Sequence, residues 1–215
     1  MSSNQRGFGL LEVTLALAIG LMILAAASQL FASAHQSWRL QGAALRMQND
    51  ARLALLRMAQ DVRMAGMFGC LRPKPGEFEA EAARKAFANP LQIEAGRLNL
   101  VVAELTGYAG KPDWILWTDC FSDARICNGK DDACVAHSDQ ALNYGISRHA
   151  YFLQGTELKF SRNANTQPLI ENVREFRLEL AGNRLDITLR LFDPGLNIEQ
   201  HHALSVALRN PVTQP

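Results

Sequence analysis

The chain has 215 residues, 22 Lys and Arg against 21 Asp and Glu, four cysteines, and 48% hydrophobic residues. That length accommodates one membrane-associated helix and one globular domain. The near-zero charge balance excludes the basic excess expected of a nucleic-acid binder. Four cysteines behind an apolar N-terminus point to an oxidising compartment.

Residues 6–27 read RGFGLLEVTLALAIGLMILAAA, a polar leader followed by an apolar run that a single carboxylate, Glu12, interrupts. A carboxylate inside a membrane segment costs on the order of 3 kcal/mol on insertion scales, so Glu12 is a functional candidate. A secretory signal peptide could place its cleavage site at Ala25-Ala26-Ala27, but such peptides do not carry a carboxylate early in the apolar stretch. A plain single-pass anchor is the other competitor, because 10–31 reaches about 30 Å as a helix. The stretch resembles the processing and assembly signal of type IV prepilins. That resemblance implies cleavage between Gly7 and Phe8 by a prepilin peptidase and N-methylation of Phe8. It places Glu12 at the fifth mature position, opposite the Phe8 amine of a neighbouring subunit. In lipid an ammonium and a carboxylate both gain from pairing, and such a pair can select helix register as a buried polar residue does in a coiled coil.

From residue 28 the sequence turns amphipathic without losing helical period. Leu40, Ala44, Met47, Ala51, Leu55, Met58, Val62 and Ala65 recur at spacings of three and four. Arg46 with Asp50, and Arg57 with Asp61, are i, i+4 pairs assigned to the polar side. Gly20 and Gly42 each cost about 1 kcal/mol relative to Ala, yet no proline interrupts 8–71. One helix over 8–67 is expected, roughly 90 Å long. Met47, Met58, Met64 and Met67 read as core packing, not metal ligands. Gly66 and Gly69 are its stop signals. The run NDARLALLRMAQDVRMAGMFGC, 49–70, resembles PilW-type minor pilins, in which alternating Arg and apolar residues close the long helix on a Gly-Cys step.

A Pro- and Gly-bearing connector over 71–90 holds a short helical piece at 77–87. Then the period changes to two. Leu98, Leu100 and Val102, and next Trp114 to Trp117, read as strands, the tryptophans as core or sheet surface. The stretch 119–147 is the least regular, and the expectation there is a solvated, disulfide-pinned loop. It holds Cys120, Cys127 and Cys134; Cys70 lies at the helix end. Four cysteines allow three pairings. The favoured one joins Cys127 to Cys134 as a local staple and Cys70 to Cys120 as a tie between helix and domain, contributing roughly 2.5 and 4 kcal/mol by the chain-entropy model. A zinc site from three cysteines and His137 has atypical spacing. Calcium ligation by Asn128, Asp131 and Asp132 lacks the alternating acidic pattern. Neither metal is expected.

Towards the C-terminus, 148–153 and 156–160 flank Gln154-Gly155 as a hairpin, and a polar loop is expected at 161–167. Alternating strands follow around Phe176 to Leu180, Leu185 to Leu191 and Leu204 to Leu208, with turns at 181–183 and 193–195. Each has one apolar face, and an antiparallel sheet packed on the amphipathic half of the helix buries both stripes. The run 151–180 also resembles, more loosely, the C-terminal domain of PilW-type minor pilins and the larger type II secretion pseudopilins.

No nucleophile elbow, phosphate loop or zincin motif is present in the sequence. His201 and His202 are adjacent and face opposite sides of a strand; His35 and His149 are isolated, surface or satisfied. The expected architecture is α+β and type IV pilin-like: a leader at 1–7, an apolar assembly segment at 8–31, and a periplasmic domain at 32–215 that includes the amphipathic half of the helix. The resemblance implies a structural, non-catalytic minor pilin without cofactor. Its partners would be the prepilin peptidase, other minor pilins, the major pilin and the inner membrane, not nucleic acid. Adhesion and twitching motility would be indirect consequences of assembly. A type II secretion pseudopilin (GspJ-like) and a membrane-tethered periplasmic binding module are the alternatives.

Overall fold

The computed structural model describes residues 9–68, 81–104, 110–121, 124–130, 142–163 and 165–210. The chain divides into two compact units, Met1–Arg46 and Met47–Pro215. Helix α1, Leu10–Met64, runs through both; the first eight residues of the chain lie outside the described ones. The expected helix is therefore observed with a slightly earlier end. Gly66 supplies the stop. It adopts φ +73°, and a Cβ there would sit 3.1 Å from Pro90 Cγ and 3.2 Å from Asn210 Cβ. Glycine alone tolerates both the left-handed backbone and the close approach. The exit is then tied down: Gly66 N–H donates to the Val101 carbonyl at 3.2 Å, and Asn210 Nδ2 donates to the Ala65 carbonyl at 2.8 Å.

The second unit holds two antiparallel sheets. The larger has strand order β1-β2-β5-β3-β4, with β6 on β5 and β7 on β6. Its strands are β1 (Leu91–Glu94), β2 (Arg97–Ala103), β3 (Trp114–Thr118), β4 (Ala124–Asn128), β5 (Leu142–Gln154), β6 (Glu157–Arg162) and β7 (Asn165–Ile170). β5 is the organiser. Its Ile146 pairs with Ala103 of β2 on one edge and with Trp114 of β3 on the other. Further along, Tyr151 pairs with Leu98 of β2 and with Phe160 of β6. One edge of β5 thus carries β2, and the opposite edge carries β3 and then β6. The smaller sheet is a meander of β8 (Val173–Ala181), β9 (Arg184–Asp193) and β10 (Ile198–Ala207), with β9 in the middle.

Period-two alternation sorts the larger sheet's side chains into two cores. On one face Leu98, Leu100, Val102, Tyr151, Leu158 and Phe160 join α1 from Met47 onward and the inner row Leu185, Ile187, Leu189 and Leu191 of β9. Alanines 51, 54 and 59 on the buried face of α1 keep that face flat, so the helix backbone can approach closely and Met58 fills the remaining gaps. On the other face Val101, Ala103, Trp114, Leu116 and Ile146 pack with Phe68 and with Ala83 and Phe87 of helix α2, Glu81–Ala88. The tryptophan pair is accordingly core and sheet surface: Trp114 is buried and Trp117 half-buried.

Four local expectations change. β1 was not anticipated; it is four residues long and closes on β2 through Ala95 and Gly96, both at positive φ, the backbone a two-residue type I′ turn requires. The hairpin between β5 and β6 turns at Gly155-Thr156, one residue later than expected, because Gln154 pairs with Glu157. The supposed loop at 161–167 is mostly strand, with Arg162 paired to Asn165. The supposedly irregular 119–147 contains β4 and the start of β5: polar composition there hid a strand whose hydrogen bonds β3 completes. There Gly129 is obligatory, since a Cβ would fall 2.2 Å from the Pro112 carbonyl oxygen.

The outward face of the smaller sheet is ionic. Arg190 bridges Glu175 (3.1 Å) and Glu199 (Nε at 3.0 Å) across the three strands, and Asp186 receives Arg184 and the Ser205 hydroxyl. These bonds hold the Glu175, Glu199 and Asp186 carboxyls below the usual carboxylate range. Arg190 is the main cause for the two glutamates, and the Ser205 hydroxyl for Asp186.

Candidate functional site

The first unit contributes α1 up to Arg46. Apart from Glu12 and Thr14 its first turns are apolar, and Leu10, Leu11, Leu15, Leu17, Ile19, Leu21 and Ile23 are exposed. The segment is long and apolar enough to cross a membrane, with a mean hydropathy of 2.3 over its best window. Such a helix must satisfy its polar groups from within. The hydroxyl of Thr14 donates to the Leu11 carbonyl, that of Ser28 to Leu24 and that of Ser33 to Leu30, at 2.8–2.9 Å. Glu12 sits in the first turn, where the helix dipole favours a carboxylate, and its N–H donates to the Gly9 carbonyl at 3.0 Å. Among the described residues nothing pairs with its carboxylate. The run ends in an aromatic step. His35 lies between Phe31 (6.4 Å) and Trp38 (6.3 Å), just before Arg39, an amphipathic cluster of the kind that favours membrane–water boundaries.

In the second unit α1 carries an ionisable residue on its buried face. Asp61 Oδ2 accepts from the Tyr151 hydroxyl at 2.6 Å and lies 2.7 Å from His149 Nδ1. A single carboxylate oxygen thus engages both β5 side chains. All three are buried, at 6%, 0% and 1% exposure. His149 and Tyr151 each pack on the Phe160 ring, 5.0 and 5.1 Å between centroids, and Arg57 covers the same ring at 4.0 Å. The expected Arg57–Asp61 pair therefore does not form: Arg57 stacks on an aromatic face and Asp61 turns inward to β5.

Cys120 and Cys127 are disulfide-bonded, and no described cysteine is free. Cys127 lies on β4. Cys120 has φ +65°, in a turn where its N–H donates to Thr118 Oγ1 at 3.0 Å and Phe121 N–H donates to Asp119 Oδ1 at 2.9 Å. Their expected partners, Cys134 and Cys70, lie outside the described residues, as do Gly7 and Phe8. A cysteine held in a disulfide offers no thiolate, so the three-cysteine zinc alternative loses two ligands. Among the described residues no group of His, Cys, Asp or Glu is arranged to hold a metal ion.

Residues 2–28 match the prokaryotic N-terminal methylation motif. With the long N-terminal helix and the antiparallel β-domain behind it, this match supports a type IV pilin-like protein, pilin or pseudopilin. Families of that kind are generally structural. The motif implies processing by a prepilin peptidase and assembly with other pilins, and it is compatible with membrane anchoring through α1. No curated protein and no solved structure matches the chain.

The cluster of Asp61, His149 and Tyr151 is the feature that reading the sequence missed. A signal was available. Met47, Ala51, Ala54, Met58, Asp61 and Ala65 follow one another at alternating spacings of four and three, so Asp61 occupies the centre of the buried row. A carboxylate on an apolar stripe calls for donors from the facing element, and His149 and Tyr151, two apart on β5, share one face.

Proposed function

We propose that the chain is a minor pilin of the PilW type that initiates or caps a type IV pilus. It is a structural subunit, not an enzyme. The observation that carries this reading is the lone Glu12 carboxylate in the apolar N-terminal segment of α1, within the matched methylation motif. Residues 1–7 form the leader, 8–31 the apolar assembly segment and 32–215 the periplasmic domain. Prepilin peptidase cuts between Gly7 and Phe8, and Phe8 is N-methylated. The Glu12 carboxylate then pairs with the Phe8 amine of a neighbouring subunit in a medium where neither charge is well solvated alone. Before assembly the subunit spans the inner membrane once. Afterwards it lies in the pilus, at its tip, among other minor pilins and next to the major pilin. The pinned stretch around Cys120 and Cys127 is where subunit-specific contacts are made, since irregular segments on a rigid scaffold commonly carry recognition.

The deciding experiment is mass spectrometry of the mature N-terminus. A chain beginning at methylated Phe8, and at Met1 when the prepilin peptidase is deleted, is expected. Retention of Met1 in the presence of the peptidase, or cleavage near Ala27, would overturn the reading. Deletion of the gene separates the two pilin-like systems: loss of surface pili with intact exoprotein secretion supports a pilus subunit, and the opposite pattern makes it a pseudopilin.

A further inference from the structure

On the side of the larger sheet that faces α2 lies an open cleft of about 690 Å³, within the range of roughly 300–1,000 Å³ typical of small-ligand sites. It exists because of Ala150. Gln92, Asn99, Ala150 and Ser161 stand in register across β1, β2, β5 and β6, and Ala150 offers only a methyl group as floor. The rim is cationic: Lys85 from α2, Arg97 from β2 and Arg148 from β5 line it, and its described lining contains no carboxylate.

Two of those cations already have partners outside the lining. Lys85 pairs with Glu81 at 2.8 Å, and Arg148 with Asp113. Arg97 differs. Its Nε donates to Asn99 Oδ1 at 3.0 Å and its guanidinium lies 4.3 Å over the Phe152 ring. Both contacts fix the side chain, and among the described residues no carboxylate engages its terminal fork, the geometry that suits a carboxylate ligand. At the other end of the cleft Asn163 is held in place by its Nδ2, which donates to the Lys111 carbonyl at 2.7 Å.

We propose that this cleft binds a carboxylate-bearing saccharide, with Arg97 taking the carboxylate and the amide and hydroxyl side chains taking the ring hydroxyls. Amides and hydroxyls both donate and accept, which matches a polyol. An acidic peptide would instead need deep apolar recesses for its other side chains, and the aliphatic lining residues larger than alanine, Leu100 and Val101, are themselves buried in the sheet. The site is separate from the N-terminal assembly segment, so it stands or falls independently of the pilus reading.

The test is calorimetric titration of the full chain in detergent micelles with trigalacturonate, its methyl ester and triglutamate. Saturable binding of the acid is expected, with the ester weaker by about tenfold or more, the scale of a charge-assisted hydrogen bond, and triglutamate weaker still. Arg97→Gln should remove the acid's advantage over the ester, and Gln92→Ala should weaken both severalfold. Arg174→Gln, on the smaller sheet, should change neither. No saturable binding, equal binding of acid and ester, or triglutamate binding as tightly as the acid would each overturn the proposal. Should Arg97→Gln lower the melting temperature, the acid-to-ester ratio on the unsubstituted chain decides alone.

Discussion

Replacing Asp61 by Ala tests what holds α1 to the larger sheet. The substitution removes the carboxylate that lies 2.6 Å from the Tyr151 hydroxyl and 2.7 Å from His149 Nδ1, both in side chains buried at 0% and 1% exposure. Each hydrogen bond removed from a buried polar group costs about 1–3 kcal/mol, so two removed together cost about 2–6 kcal/mol. The middle of that range is roughly 4 kcal/mol, a large part of the ~5–15 kcal/mol that keeps a domain folded. At about 2–4 °C per kcal/mol for a unit of this size, the melting temperature should fall by roughly 10 °C. Urea unfolding of the full chain in micelles, followed by near-ultraviolet circular dichroism, gives the value. Asp61→Asn keeps one acceptor oxygen for both donors and should lose less than half as much. The combination Asp61→Leu, His149→Phe, Tyr151→Phe removes donors and acceptor together and should recover much of the loss, because apolar replacement of a whole buried network is often neutral. An Asp61→Ala loss below about 1 kcal/mol, on the scale of one ordinary hydrogen bond, would refute the reasoning.

Gly66→Ala should cost about 1–3 kcal/mol through its φ of +73° and the Pro90 and Asn210 contacts, measured by the same unfolding curves; Gly155→Ala, at φ +63° with open space around it, should cost less. The carboxyls of Glu175, Glu199 and Asp186 are depressed in the folded chain. Their contribution is therefore complete above the unfolded carboxylate pKa of about 4 and is lost as pH falls through the lower folded values; Arg190→Ala should flatten the acid limb of a urea-midpoint-versus-pH curve. Reduction with dithiothreitol should lower the urea midpoint by an amount equivalent to about 2–4 kcal/mol per bridge, and thiol titration of the unreduced, denatured chain should detect no label on Cys120 or Cys127. Glu12→Ala should leave membrane insertion and leader cleavage unchanged while reducing the filament-incorporated fraction, read by immunoblot of sheared pili.

The α+β architecture was legible because its two periods are clean. The stripe from Met47 to Ala65 repeats every three to four residues, and β9 alternates Leu185, Ile187, Leu189 and Leu191 with polar positions. Both patterns are written by burial, and burial is what the structure reports for them. Legibility failed where a residue's fate depends on a distant partner. Asp61 was assigned to the polar side on a local i, i+4 argument with Arg57, but its partners stand 88 and 90 residues away on β5. β4 was hidden because a strand hydrogen-bonded along β3 needs no apolar alternation of its own. The turn at Gly155-Thr156 was misplaced by one residue because a glycine permits either register; the pairing of Gln154 with Glu157 decides it.

Glu12 stands apart from the other polar groups of the apolar segment. Between residues 10 and 28 the remaining polar side chains are Thr14 and Ser28, and each returns its hydroxyl to a carbonyl of its own helix. Those two can enter hydrocarbon at little cost, because their hydrogen bonds travel with them. A carboxylate has no equivalent escape: it only accepts, and the carbonyls within reach along the helix accept as well. Its compensation must come from a donor outside this helix, either water at the headgroups or a cation on another chain. Glu12→Gln separates these sources. If headgroup water were sufficient, an uncharged amide would serve as well as the carboxylate and incorporation would be normal. If the donor is a neighbour's ammonium, the amide keeps the shape and loses the attraction, and Glu12→Gln should fail nearly as completely as Glu12→Ala.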